Sequence, residues 1–314
     1  MEPSRHEKVT AQTVKTLAAS IGFDACGITC AQAVDAEAIA RHDRWIAEGR
    51  HDTMEWVTRW RDVRNDPRLL LEGARSLIVL ALNYFPSNFQ PPEAPQVAAY
   101  AYGRDYHKVM RRMMRPLALA LEAAGHATRL CVDSAPLRER YWAQRAGLGF
   151  VGRNNQLIIP GRGAYFFLGT IVTTAPLEPD KPCNLHCPEG CRRCEEACPA
   201  GALHDGEAVD ARRCLSCLTI EHQGPLPPGT ASLLGHRVFG CDECLKACPF
   251  NRHATATTVD DFAPSDAFLA LTDEDFATMD QARFDALFGH TPVKRAGLAA
   301  LLRNLESMFF LDLE

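Results

Sequence analysis

Ten of the thirteen cysteines in this 314-residue chain fall between Cys183 and Cys248, and two of them, Cys198 and Cys248, are followed directly by proline. Whatever the chain folds into must accommodate that concentration of thiols. The opening stretch, MEPSRHEKVT, is charged and lacks the apolar segment of a secretory signal. The expected compartment is therefore the cytoplasm, where disulfides are rare and dense cysteines serve metal or redox chemistry. The longest apolar run, SLIVLALNYF, is roughly half a membrane span, so no membrane partner is expected. The three cysteines outside the cluster, Cys26, Cys30 and Cys131, sit among apolar neighbours and read as small buried packing residues. A net charge of −5 gives no whole-chain signal for a nucleic-acid partner, though a local basic face is compatible with it.

The spacing narrows the chemistry. Cys187-x3-Cys191-x2-Cys194-x3-Cys198-Pro199 follows the bacterial ferredoxin run C-x2-C-x2-C-x3-C-P with one residue inserted in the first gap. Cys241-x2-Cys244-x3-Cys248-Pro249 repeats the second half, and Cys214 in ARRCLSC supplies an eighth thiolate. In ferredoxins the cysteine before proline ligates the other cluster. That rule assigns Cys187, Cys191, Cys194 and Cys248 to one [4Fe–4S] cluster, and Cys198, Cys214, Cys241 and Cys244 to a second. The proline stops the short helix carrying each C-x3-C and turns the chain away. Structural zinc is the competing reading, but zinc knuckles usually lack the third cysteine and the trailing proline. Two cysteines are spare: Cys183 is an alternative ligand to Cys187, and Cys217 reads as packing.

The fold class expected is mixed α/β (α+β). Residues 1–175 alternate helical and strand patterns. VTAQTVKTLAASIGF and DAEAIARHDRWIAEG have helical spacing. RSLIVLALNYF is a continuous apolar run, hence a buried strand. DYHKVMRRMMRPLALALEAAG is a helix with Pro116 as a kink, ATRLCVD is a strand ending near Asp133, APLRERYWAQRAG is a further helix, and YFFLGTIVTT is a strand. The proline-rich APLEPDKP reads as a connection to a ferredoxin-like domain at 176–255, followed by a helical segment at 256–314. GLGFVG lies after a helix and before a strand, the wrong context for a dinucleotide fingerprint. Asp133, at a strand end, suits two roles: a desolvated proton donor with a raised pKa, or an ordinary helix cap.

At family level the chain resembles the epoxyqueuosine reductases over nearly all its length. The resemblance rests on GRDYHK (103–108), VDSAP (132–136), ERYWAQRAGLGFVGRN (139–154), YFFLG (165–169), ARRCLSCLTIE (211–221) and FGCDECLKACPFN (239–251). The extra residue in the first cysteine gap, Cys217 in place of a usual aromatic, and the missing C-terminal helical repeats are departures. The resemblance implies a cobalamin bound between residues 1–175 and the ferredoxin-like part, with its lower base detached, although no D-x-H-x-x-G cobalamin motif is present. It implies Asp133 as proton donor, and Arg64, Leu157, Leu168, Ile171 and Ser216, beside Asp133, as corrin-lining residues. Asp105 and His107 lie beside the substrate site, with His222 a further substrate residue.

The implied reaction reduces epoxyqueuosine to queuosine at the wobble position of tRNA with a GUN-type anticodon, the last step of queuosine synthesis. Two electrons arrive singly through the clusters from an external donor of flavodoxin or ferredoxin type. Lys108, Arg111, Arg112, Lys294 and Arg295 are available for tRNA phosphates, the first three being equally readable as a solvated helix face. Two other classes stay open: a corrinoid reductase of small molecules, such as a reductive dehalogenase, and a plain electron-transfer protein.

Overall fold

A computed structural model describes residues 9–204 and 208–309; the charged residues 1–8 lie outside it. Its strands, in chain order, are β1 (Ala25–Cys30), β2 (Ser76–Asn83), β3 (Gln96–Val97), β4 (Thr128–Cys131), β5 (Phe150–Val151), β6 (Leu157–Ile158), β7 (Phe166–Thr173) and β8 (Arg237–Phe239). Four of them form the central sheet in the order β1-β2-β7-β4, with every neighbour antiparallel. The continuous apolar run behaves as its pattern requires: all eight residues of β2 are buried, because both faces of the sheet are covered.

Alternation along β2 divides the core. Ile78, Leu80 and Leu82 point to one side, where helices Ala11–Ile21 and Tyr106–Ala123 bring Val14, Met110, Met114 and Leu117. Leu77, Val79 and Ala81 point to the other, against Trp142 and Ala143 of the helix Glu139–Arg145. Cys131 is buried and Cys26 partly so, but Cys30 is exposed at the end of β1, which corrects the expectation of burial for it.

The cysteine-rich segment holds two four-residue helices, Arg193–Glu196 and Glu243–Lys246, packed on each other. Each ends two residues before a Cys-Pro pair. The parallel pair β3–β8 ties this segment to the first half of the chain. A third apolar cluster joins Val97, Ala101, Val238 and Phe239 to Phe276, Phe288 and Leu301 of the C-terminal helices, so those helices pack on both preceding parts. Among the described residues no helix is long and apolar enough to cross a membrane.

Candidate active site and cluster centres

The motif GRDYHK places three groups at one helix start. Gly103 lies against the backbone of Asp261 and Phe262; a Cβ there would come within 2.4 Å of both. Only glycine permits that approach. Two residues on, Asp105 caps the helix Tyr106–Ala123 through the His107 N–H at 3.0 Å. The same Asp105 Oδ1 lies 2.8 Å from His107 Nδ1, and His107 Nε2 lies 3.0 Å from Asp133 Oδ2. The result is a carboxylate–imidazole–carboxylate array, with the Tyr106 ring stacked between His107 and Phe167.

Asp133 is not a helix cap. The strand ends at Cys131 and the next helix begins only at Glu139, behind Arg138, which makes no side-chain cap bond. Asp133 instead sits alone beyond the strand with φ +49°, a left-handed conformation that a residue with a Cβ adopts under constraint. Its N–H donates to Glu139 Oε1 at 2.9 Å. The expected raised pKa is also corrected. Desolvation acts upward, but half the side-chain surface (51 %) is open to solvent, and hydrogen bonds from His107 and Tyr106 hold the carboxyl below its usual value. His107 moves the opposite way. Desolvation disfavours its cation, yet the bonds to Asp133 and Asp105 outweigh it and raise its pKa. Burial and the adjacent Asp133 charge push Glu139 up to about 8.

A cavity of about 270 Å³ opens beside this array, walled by Tyr100, Asp105, His107, Lys108, Lys294 and Arg295 among others. Three of the five basic residues singled out for phosphates therefore face the same space. Arg112 is instead paired with Asp261, and Arg295 also pairs with Glu221. Both ring nitrogens of His222 are engaged: Nδ1 lies 2.6 Å from Asp52 Oδ2 and Nε2 lies 3.1 Å from the Pro225 carbonyl. His222 does not itself wall this cavity, though its neighbour Glu221 pairs with the wall residue Arg295.

Of the corrin-lining candidates, Leu157, Leu168 and the segment carrying Arg64 border one apolar cluster, which includes Val63 and Leu70. Ile171 does not join them. It is three residues from Leu168 on β7, so it faces the opposite side of the sheet, and it is fully buried in the core under helix Tyr106–Ala123. Ser216 is half-buried on the helix Leu215–Ile220. Arg64 lies 5.9 Å over the Trp56 ring. Its Nε, with Arg138 Nε and His42 Nδ1, is a buried polar atom without a partner among the described residues. Buried groups left in that state are expected to meet a ligand rich in hydrogen-bonding groups. A corrinoid with its rim of amides has that chemistry.

The cysteines expected to ligate the two clusters lie near one another in two sets. Cys187, Cys191, Cys194 and Cys248 line one small cavity with Arg153 and Phe250. Within that set Cys194 feels the charges of Cys187 and Cys248, and Cys248 those of Cys187 and Cys191. In the other set Cys244 feels Cys241, Cys214 and Cys198. Backbone N–H groups reach one sulfur in each: Arg153 to Cys187 at 3.4 Å and Ala202 to Cys198 at 3.2 Å, the kind of bond that tunes cluster potential. Cys183 is absent from these contacts; its backbone is tied to Gln144. Cys217 is buried, its Sγ 4.0 Å from Asp52.

Sequence reasoning missed Glu139, Tyr106 and Arg138. Glu139 is six residues from Asp133, a separation with no meaning in a helix or a strand, so no pattern links them. Tyr106 and Arg138 stood inside quoted motifs without a role, and only the packing supplies one.

The chain thus joins an antiparallel sheet to a cysteine-rich segment and sets an acid–imidazole array beside a basic cavity. Comparison with known proteins makes this specific. A family model described as epoxyqueuosine reductase QueG, DUF1730, matches residues 64–134, and one described as a 4Fe-4S double cluster binding domain matches 186–251. Epoxyqueuosine reductases of Xanthomonas campestris and Gloeobacter violaceus are each 38 % identical, covering 94 % and 95 % of this chain and 85 % and 95 % of their own. That of Escherichia coli is 34 % identical over 94 % of this chain and 79 % of its own. A crystal structure of epoxyqueuosine reductase with an epoxyqueuosine-modified tRNA-Tyr stem loop superposes with a TM-score of 0.84 at 28 % identity, over 95 % of this chain and 80 % of that one. A Bacillus subtilis structure with its catalytic aspartate loop swung out of the active site gives 0.82 at 28 % identity, with the same coverage. The chain belongs to the epoxyqueuosine reductase family. The family depends on cobalamin and on iron–sulfur clusters.

Proposed function

We propose that this protein reduces epoxyqueuosine to queuosine at the wobble position of tRNA, the last step of queuosine formation. The carrying observation is the Asp105–His107–Asp133 array at the edge of a cavity with lysine and arginine in its wall. Removing the epoxide oxygen to leave an alkene consumes two electrons and two protons and releases water. When bound, a corrinoid would supply a reduced cobalt centre, and two iron–sulfur clusters would supply single electrons. Cys187, Cys191, Cys194 and Cys248 would hold one cluster and Cys198, Cys214, Cys241 and Cys244 the other. Arg64, Leu157, Leu168 and Ser216 would hold the corrinoid.

The chain's own contribution is one of the two protons; solvent supplies the second. His107, kept cationic by its two carboxylate neighbours, gives its Nε2 proton to Asp133 Oδ2, and Asp133 delivers it to the departing oxygen. Asp105 fixes the ring orientation. Lys108, Lys294 and Arg295 meet the phosphates of a single-stranded anticodon loop, from which a base can be splayed into a cavity. The finer readings are a GUN-type anticodon, an external flavodoxin- or ferredoxin-type donor and work in the cytoplasm. Residues 1–175, 176–255 and 256–314 act as corrinoid-binding, cluster-binding and helical parts.

The direct test reconstitutes the purified protein with iron, sulfide and cobalamin under reducing conditions and supplies tRNA bearing epoxyqueuosine. Mass analysis of the nucleosides should find the modified base one oxygen lighter. Intact epoxide in the tRNA, from protein that carries both clusters and the corrinoid, would count against this function.

The proton route carries a pH signature. With Asp133 depressed and His107 raised, the proton of the pair is lost only as pH rises through the raised His107 value, above the usual value of about 6.5. Turnover at saturating tRNA should be flat below that value and fall above it. In His107→Gln the descending limb should move or disappear. A limb that stays unmoved in that variant would remove His107 from the route.

A further inference from the structure

The segment between β4 and the helix Glu139–Arg145 carries Asp133 but contains no regular element of its own. Two ties fix its key residue. His107 holds the Asp133 carboxylate, and Glu139 accepts the Asp133 N–H at 2.9 Å. The second tie comes from a firm platform: Trp142 and Ala143, on the same short helix, are fully buried in the core beneath the sheet. Asp133 occupies the left-handed region with φ +49°, which Asp tolerates better than most residues with a Cβ but which still costs more than an ordinary conformation unless the surroundings favour it. A carboxyl group half-buried beside another carboxylate is a poor choice for packing alone, and an apolar side chain at 139 would leave the Asp133 N–H without this acceptor.

We propose that Glu139 is a positioning residue: its side-chain oxygen latches the Asp133 backbone and holds the Asp133 loop in the conformation that aims the carboxylate at the substrate cavity. Glu139 touches neither substrate nor cofactor in this role. The proposal rests on Asp133 being the proton donor, so its test needs a readout that does not depend on turnover.

Two substitutions separate the latch from general damage. Glu139→Gln keeps an oxygen that accepts the Asp133 N–H, whereas Glu139→Ala removes it. Hydrogen–deuterium exchange of the backbone across 132–138 should accelerate in Glu139→Ala and stay near the parent rate in Glu139→Gln, because exchange reports local opening. Turnover should follow the same order. Glu139→Ala should lose roughly 10²-fold in kcat, the scale of a misplaced reacting group, with KM for tRNA unchanged. Glu139→Gln should stay within a few-fold of the parent. Added to Asp133→Asn, the alanine change should cost nothing further in single-turnover rate, since the latch acts only through Asp133. Iron content matching the parent in each variant verifies the fold. Unchanged exchange in Glu139→Ala would overturn the latch itself. Faster exchange with undiminished kcat would overturn its role in catalysis, as would equal losses in the alanine and glutamine variants. If Asp133→Asn itself retains turnover while exchange still responds to Glu139→Ala, the donor assignment fails and the latch stands.

Discussion

Asp133→Asn should lower turnover of epoxyqueuosine-containing tRNA by about 10²–10⁴-fold, the usual loss when one general acid is removed. Asparagine is nearly isosteric and can still occupy the left-handed position at φ +49°, because Asn is among the residues that tolerate it. Its backbone N–H still reaches Glu139, and its side-chain oxygen can still accept from His107. What it lacks is a carboxyl that can receive the His107 proton and pass it on. The eight cluster cysteines are untouched, so electron delivery should continue, and the cob(II)alamin spectrum should change on reduction as in the parent. Full turnover in Asp133→Asn would reduce the residue to a structural element. Loss of corrinoid binding would make its role structural too, and His107 would become the next donor to test.

The second large effect separates two cysteines four residues apart. Cys187→Ala should retain about four of the eight irons expected per chain for two [4Fe–4S] clusters, and turnover should collapse, whereas Cys183→Ala should keep all of them. Cys187 lines the cavity shared by Cys191, Cys194 and Cys248, and its sulfur accepts the Arg153 N–H at 3.4 Å. Cys183 is held by its backbone at Gln144, and it falls outside the 186–251 segment matched by the double-cluster model. A one-residue insertion between Cys187 and Cys191 is taken up by the loop Pro188–Cys191, which closes with a Cys191 N–H to Pro188 carbonyl bond of 3.1 Å. Iron and sulfide assays with the electron paramagnetic resonance of reduced protein decide the matter. About eight irons in Cys187→Ala together with loss in Cys183→Ala would exchange the assignments.

These two sites were legible in the amino-acid order to different degrees. The candidate cluster ligands could be sorted into two sets by spacing, because a cubane imposes its ligand geometry on short loops and the Cys-Pro pair marks where the chain is expected to cross to the other cluster. The long apolar run was legible for a similar reason: a strand covered on both faces has no polar side to display, and all of β2 is buried. At Asp133 the linear pattern offered two roles and a wrong expectation of its acidity. Its environment is made by His107 and Tyr106, some twenty-six residues earlier in the chain, and by a helix that begins at Glu139, well after Asp133. Ile171 shows what only folding decides about a face. Motif matching placed it with Leu168, but a three-residue step along a strand reverses the face, so it went into the core.

The class of chemistry was fixed in the linear chain, because thiolate spacing is a local property that survives any arrangement of the remaining residues. So was the layered α/β core, since apolar periodicity records which faces are buried. Where the proton resides is a different kind of property, and it emerged only with folding. The carboxyl of Asp133 and the ring of His107, 3.0 Å apart and from separate elements, shift each other, and Glu139, whose carboxylate accepts the Asp133 N–H at 2.9 Å, is raised by burial and by the Asp133 charge. A pKa is a property of surroundings, and those surroundings exist only after the sheet, the capped helix and the loop have closed on one another.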